Sequence, residues 1–311
     1  MIKKLLIVSI LLSLWTTLSH ARHDTGAEFL TFGIGARASG MGEAFVAVAD
    51  DVTTTYWNPA GLGFMRKKEL SVMHNSLYKD ITDDIFHDFI SYSYPLEMDR
   101  TIAGSLIFFH SGTHPITKYN DSLQQIETIG KFHTYDLATV LSYAQLMTEN
   151  LSFGANLKYI YSKFHNIKGK GYACDLGILY KGPVQGLILG AKLENLGTKL
   201  SYIDRHQADS LPLNLKIGTS YNWCYDKNNR FVCALDINKP FYDNFIGSNI
   251  GLEWYLDERF IGRLGHYDKG GGLKGITYGA GIKINQWQFD FANVPSGDLG
   301  RDNRVSVRKL F

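Results

Sequence analysis

From residue 69 to the end of the chain, apolar and polar residues alternate with a period of two. That is the signature of strands whose successive side chains point to opposite faces. Leu151, Phe153, Ala155, Leu157 and Tyr159 alternate with Ser152, Gly154, Asn156 and Lys158, and Tyr278, Ala280, Ile282 and Ile284 alternate with Thr277, Gly279, Gly281 and Lys283. The pattern predicts fourteen strands, near 69–76, 85–95, 101–111, 132–146, 150–164, 171–181, 184–194, 211–223, 230–239, 246–255, 259–267, 275–284, 286–294 and 303–311. The connections alternate between short (such as 147–149, 257–258 and 285) and long (77–84, 112–131, 165–170, 195–210, 240–245, 268–274 and 295–302). A transmembrane antiparallel β-barrel has short periplasmic turns, longer external loops and an even strand number, so an all-β barrel with both termini on the periplasmic side is expected.

The second face of each strand is polar and charged. It carries Asp136, Lys158, Asp175, Lys192, Glu194, Lys216, Asp236, Glu253, Arg263, Lys283 and Asp290. A soluble sandwich buries its apolar faces against another sheet, whereas apolar faces on every strand opposite a wet one suit a wall between lipid and lumen. The mixed-sign interior is expected to pair internally or with a plug, because an unpaired buried charge is costly.

Composition agrees. Aromatic residues make up 13% of the chain, yet no stretch reaches the 18 apolar residues of a membrane helix. The N-terminus carries Lys3 and Lys4, an apolar run Leu5–Trp15 and Ser19-His20-Ala21, which predicts a secretory signal peptide over residues 1–21, removed after Ala21. The remaining chain then divides into residues 22–66, a small N-terminal plug, and residues 67–311, an outer-membrane barrel. A net charge of +2 with scattered Lys and Arg gives no nucleic-acid footprint. Of the three cysteines, Cys224 and Cys233 flank a turn, but their phases place them on opposite sides of the wall, so no disulfide is expected.

No nucleophile elbow, paired-cysteine motif or helical zinc motif is present, and no cofactor or enzymatic activity is expected. His110 and His114 would lie about 13 Å apart on a strand, too far to share a metal. His74, His87, His110, His114, His133, His165, His206 and His266 fall near the long-loop ends, close to Asp83, Asp84, Asp88 and Asp268. An acid–imidazole site on the rim is one reading of them; a solvated polar rim is the reading preferred here.

Residues 26–64 break the alternation and are rich in Gly and Ala, as a close-packed plug requires. Within them Phe29-Leu30, then Gly33-Ile34-Gly35-Ala36-Arg37-Ala38-Ser39-Gly40-Met41-Gly42, Asp50-Asp51 and Trp57-Asn58-Pro59-Ala60-Gly61-Leu62 closely resemble the PorV/PorQ family of outer-membrane proteins, itself similar to FadL-type fatty-acid transporters. The resemblance is specific over this N-terminal third. It implies a fourteen-stranded barrel with an N-terminal hatch, in which Arg37, Gly40, Gly42, the acidic pair Asp50 and Asp51, and Asn58, Pro59, Ala60 and Gly61 form the hatch motif. The terminal Phe311 resembles the recognition signal of the barrel assembly machinery. The resemblance further implies a component of type IX protein secretion that binds exported cargo or secretion-system proteins, with the loops at 112–131 and 195–210, and Tyr119 and Tyr202 on them, as contact candidates. The alternative it implies is a passive transporter taking a hydrophobic ligand through the outer-membrane lipid, for which inward Tyr92, Ile107 and Phe109 would line a short path.

Overall fold

The computed structural model describes residues 25–79, 82, 84–121, 123–202, 208–224, 229–270 and 272–311. The proposed signal peptide, Asp83 and His206 lie outside them. Fourteen strands pair in sequence order, each antiparallel to the next, and the last pairs with the first. They are β1 (Glu69–Ser76), β2 (Ile85–Pro95), β3 (Arg100–Asn120), β4 (Gln125–Thr148), β5 (Leu151–Phe164), β6 (Ile167–Lys181), β7 (Leu187–Gly197), β8 (Asn214–Cys224), β9 (Arg230–Pro240), β10 (Gly247–Leu256), β11 (Phe260–Asp268), β12 (Lys274–Ile284), β13 (Trp287–Pro295) and β14 (Arg301–Leu310). Closure leaves no unpaired edge, which is what permits a sheet in hydrocarbon. The seam sets Val72 of β1 opposite Val307 of β14 and Asn75 opposite Arg304.

The period-two pattern is realised residue by residue. In β10 Asn249, Gly251, Glu253 and Tyr255 are in the inward phase while the side chains of Ile250, Leu252 and Trp254 point out. Aromatic rings gather outward near the short turns: Phe231 and Trp254 stack with centroids 5.7 Å apart, as a membrane-interface girdle requires. Phe311 stands in the same zone, edge-on to Tyr92 at 6.4 Å, its N–H donated to the Lys68 carbonyl. Tyr92 therefore does not line the lumen as expected; it is in step with Ile90 and Tyr94, opposite in phase to the inward Phe89 and Ser91. Ile107 does face inward and is buried.

Two of the expected long loops are strand. β3 and β4, of 21 and 24 residues, pair as far as Asn120 opposite Gln125, with register shifts after His110 and Ile116. Nine to eleven residues suffice to cross the bilayer, so residues 112–131 form a hairpin projecting beyond it. Alternation fades there because neither face meets lipid. Likewise β5 and β6 are joined by His165 and Asn166 alone rather than by a loop over 165–170. The described ends of the 195–210 connection instead turn into the barrel mouth: Leu200 is fully buried and bridges Asp209, and Ser210 accepts a hydrogen bond from the Gly26 N–H. Tyr202 follows it inward and lines the mouth rather than standing on an external loop, its hydroxyl 2.8 Å from Ser162, whereas Tyr119 on the hairpin is exposed. Cys233 is paired opposite Tyr221 and Cys224 opposite Arg230, and all three cysteines are free.

Residues 26–65 fill the lumen as short turns: 3-10 segments at Glu28–Thr31 and Pro59–Phe64 and helices at Ala36–Gly40 and Thr54–Trp57. They descend from the long-loop end, where Gly26 meets Ser210, to the short-turn end, where Gly63 lies against Ser152. Phe29, Leu30, Ile34, Met41, Phe45 and Trp57 pack there against Met73, Phe89, Ile107, Ile160 and Tyr255 of the wall.

Candidate functional site

The lumenal segment is fastened by charge. Arg37 lies on the Ala36–Gly40 helix and is itself buried. Its guanidinium reaches Asp50 at 2.6 Å, Asp51 at 2.8 Å and, through two N–H groups at 2.8 and 2.9 Å, both oxygens of Glu253 on β10. This fork geometry is what arginine offers and lysine does not. The wall continues the network: Arg263 pairs with Glu253 at 2.7 Å and Asp290 at 2.8 Å, and Arg308 with Asp51 at 3.2 Å and Glu69 at 3.5 Å. Glu69 accepts the Val52 N–H at 2.9 Å. Burial alone would push the Asp51 carboxyl up, but Arg308 and Arg37 beside it hold it below the ordinary carboxylate range.

Glu43 forms a second fastening, to Lys269 at 2.5 Å and Arg304 at 3.3 Å. Burial opposes its ionisation, and these two cations overcome it and lower its pKa. Arg304 also donates to the Gly33 carbonyl at 3.0 Å and to Ser39 at 2.6 Å. Asp236 of β9 accepts the successive N–H groups of Phe45 and Val46 at 2.7 and 2.9 Å. A third group joins Lys158, Lys192 and Lys216 to Asp175 and Glu194, with Lys192 donating to the Tyr56 carbonyl.

The Asn-Pro-Ala run is placed by backbone needs. Asn58 caps the Pro59–Phe64 turn, its Oδ1 accepting the Ala60 N–H at 3.2 Å, while its Nδ2 donates to Val46 and Ile178 carbonyls at 2.9 and 3.1 Å. Pro59 sits at the first helical position, where its missing N–H costs nothing. Gly42 has φ +63°, and a Cβ there would meet His266 N at 2.6 Å.

The sequence placed Arg37, Asp50, Asp51, Asn58, Pro59, Ala60, Gly40, Gly42 and Gly61 in this segment, and the structure brings Arg37 together with both aspartates. Asp50 is half exposed, however, and Asp51 carries the buried pairing. Sequence reading missed the wall's glycines. Cβ atoms at Gly154 and Gly177 would collide with Pro59 and Asn58, and at Gly251 and Gly265 with Met41 and Gly42. Their signal was present as glycine recurring in the inward phase of strands.

The rim imidazoles do not form one site: among the described residues only His110 and His133 come together, with ring centroids 5.8 Å apart. His74 pairs with Asp88 at 2.6 Å on the outward face, His110 lies 3.7 Å from Asp84, and His87 is buried edge-on to Phe32 at 5.8 Å. Among the described residues no group of three His, Cys, Asp or Glu side chains is placed to hold a metal. Beside the lumenal segment lies a cavity of about 50 Å³ walled by Glu43, Glu194, Lys216 and Lys269 on one hand and by Pro212, Pro240 and Phe245 on the other.

A family model described as Type IX secretion system protein PorV matches residues 19–243 of this barrel, the lumenal segment included. The chain belongs to the PorV family. Its place is the outer membrane, as that family and the closed barrel together indicate. Among solved structures, the chain is similar to the Pseudomonas putida toluene transporter TodX, with 13% identity over 90% of this chain and 99% of that one and a TM-score of 0.61. The Ralstonia pickettii toluene transporter TbuX gives 13% identity over 90% and 98% of the two chains, with a TM-score of 0.58. A Pseudomonas aeruginosa FadL homologue gives 9% over 93% and 99%, with a TM-score of 0.57. At such identities they establish the FadL-like barrel fold that this family member shares. No curated protein matches the sequence.

Proposed function

We propose that this protein is a non-enzymatic component of type IX-like protein secretion: a closed barrel whose external surface binds exported cargo or neighbouring translocon proteins. In this reading residues 1–21 are a signal peptide removed after Ala21, residues 22–66 are a hatch, and residues 67–311 are the barrel delivered to the assembly machinery by Phe311. Arg37, Asp51 and the Asn58-Pro59-Ala60 run hold the hatch shut. The observation that carries the reading is the filled lumen, in which residues 26–65 are tied to the wall by buried ion pairs through Glu253, Arg304 and Arg308. The hairpin of β3 and β4, with Tyr119 exposed, offers a surface beyond the bilayer for a protein partner.

A second reading, passage of a hydrophobic small molecule, draws on the apolar cluster of Phe32, Phe89, Ile107 and Phe109 below the mouth and on similarity to proteins titled toluene transporters. Glu43, Glu194, Lys216 and Lys269 in the wall of the lumenal cavity interrupt an apolar path. The test is affinity isolation of the tagged protein from outer membranes in mild detergent, with mass spectrometry of proteins and lipids. Co-purification of exported proteins or secretion components without an enriched hydrophobe is expected; the protein alone with a stoichiometric hydrophobe would replace the first reading by the second.

A further inference from the structure

At the mouth, between β3, β4, β5 and the inturned 198–202 segment, lies a cavity of about 360 Å³ lined by Ser111, Thr134, Asp136, Ser162, Phe164 and Tyr202. Its hydroxyls are already ordered: the Ser111 and Thr134 hydroxyls bond each other, and Ser162 donates to Asp136 Oδ1 while lying 2.8 Å from the Tyr202 hydroxyl. Asp136 differs from the other inward carboxylates of the wall. Glu69, Asp175, Glu194, Glu253 and Asp290 each lie within 4 Å of a Lys or Arg, and Asp236 and Asp302 accept backbone N–H groups. Asp136 has neither among the described residues, only the Ser162 hydroxyl. Lys163 also borders the cavity, but its ammonium stands 5.6 Å from the Tyr135 ring centroid and makes no ion pair with Asp136.

We infer that this cavity binds a primary ammonium group, which pairs with Asp136 and donates its remaining N–H groups to the surrounding hydroxyls. A half-buried carboxylate without a cation gains most from one that arrives with the ligand. Ammonium suits the site because three N–H groups diverging from one nitrogen can meet the carboxylate and two hydroxyl oxygens at once, whereas the planar guanidinium fork cannot turn its donors to a ring of hydroxyls. Phe164 at the rim offers apolar surface for the alkyl stem. The ammonium can belong to a free alkylamine or to a lysine side chain of a protein, and the site stands on this chemistry whether or not the protein serves secretion.

The full chain in detergent should bind n-butylammonium saturably and at least tenfold more tightly than n-butanol, in ligand-observed NMR titrations, with affinity falling as salt rises. Asp136→Asn should abolish the preference, and Ser162→Ala, which frees Oδ1, should keep it; faster migration of the unheated barrel in electrophoresis reports that each variant is folded. An acetyl-Gly-Lys-Gly-amide peptide that binds where its ε-acetylated form does not assigns the site to lysine side chains, whereas binding of butylammonium alone assigns it to free amines. Equal affinity for the ammonium and the alcohol, or a preference that survives in Asp136→Asn, would overturn the inference.

Discussion

At the scale of single residues, the hatch is held by a few side chains whose loss can be forecast. Arg37→Ala removes two of the donors to Glu253, leaving Arg263, and the nearest cation from Asp51. Breaking a buried pair in this way costs about 3–5 kcal/mol, and the cost falls on the hatch because the wall keeps its own hydrogen bonds. Limited proteolysis should therefore cut the variant within residues 26–65 while the barrel stays resistant; equal resistance of wild type and variant would show that Arg37 is dispensable. Arg37→Lys should recover little, since a single ammonium cannot reproduce the fork. Acid should act at the same places. Asp51 and Glu43 bind protons less readily folded than unfolded, so their contribution is complete above their unfolded values, about 4, and is lost as pH falls through the lower folded ones. Protection factors for hydrogen exchange in the hatch, corrected for the intrinsic pH dependence of amide exchange, should accordingly fall as pH drops below about 4, and Asp51→Asn should flatten that fall.

At the scale of elements, the β3–β4 hairpin is the part most readily separated from the rest. Its outer portion pairs only with itself, while the inner portions of both strands are zipped to β2 and β5. Replacing residues 113–132 by a four-residue turn should leave a barrel that still shows heat-dependent electrophoretic mobility, with any partner recovered by affinity isolation lost; failure to form the barrel would mean the hairpin is needed for folding. The same hairpin explains where sequence reading fell short. Strands were legible wherever one face meets lipid, as in Leu151–Tyr161 of β5, because the membrane enforces alternation there. Beyond the bilayer Lys118, Tyr119 and Asn120 face water on both sides and the period vanishes although pairing continues. The 195–210 segment misled in the opposite way: its composition reads as loop, yet Leu200 enters the core through contacts with Gly26 and Gly169 that no local pattern encodes. In the hatch, the motif identified Arg37 and Asp51, but of their wall partners Glu253 was legible only as one inward charge among many and Arg308 was not singled out; the topology sets them face to face.

At the scale of the whole molecule, the hatch and the seam of the barrel are one construction. β14 closes the sheet against β1 and also supplies Arg304 to Gly33, Ser39 and Glu43, Arg308 to Asp51, and Ser306 to the Ala36 N–H at 3.2 Å. The sequence separations are 261 residues for Glu43 with Arg304 and 271 for Gly33 with Arg304. The segment that fills the lumen is thus completed by a strand synthesised long after it. A growing chain has no way to seat that segment until β14 is made, and contacts spanning so much sequence form slowly. The polypeptide must cross the periplasm with its apolar stripes and its unseated N-terminal segment both unsatisfied, and a copy that lost its final ten residues would lose its stopper along with its seam.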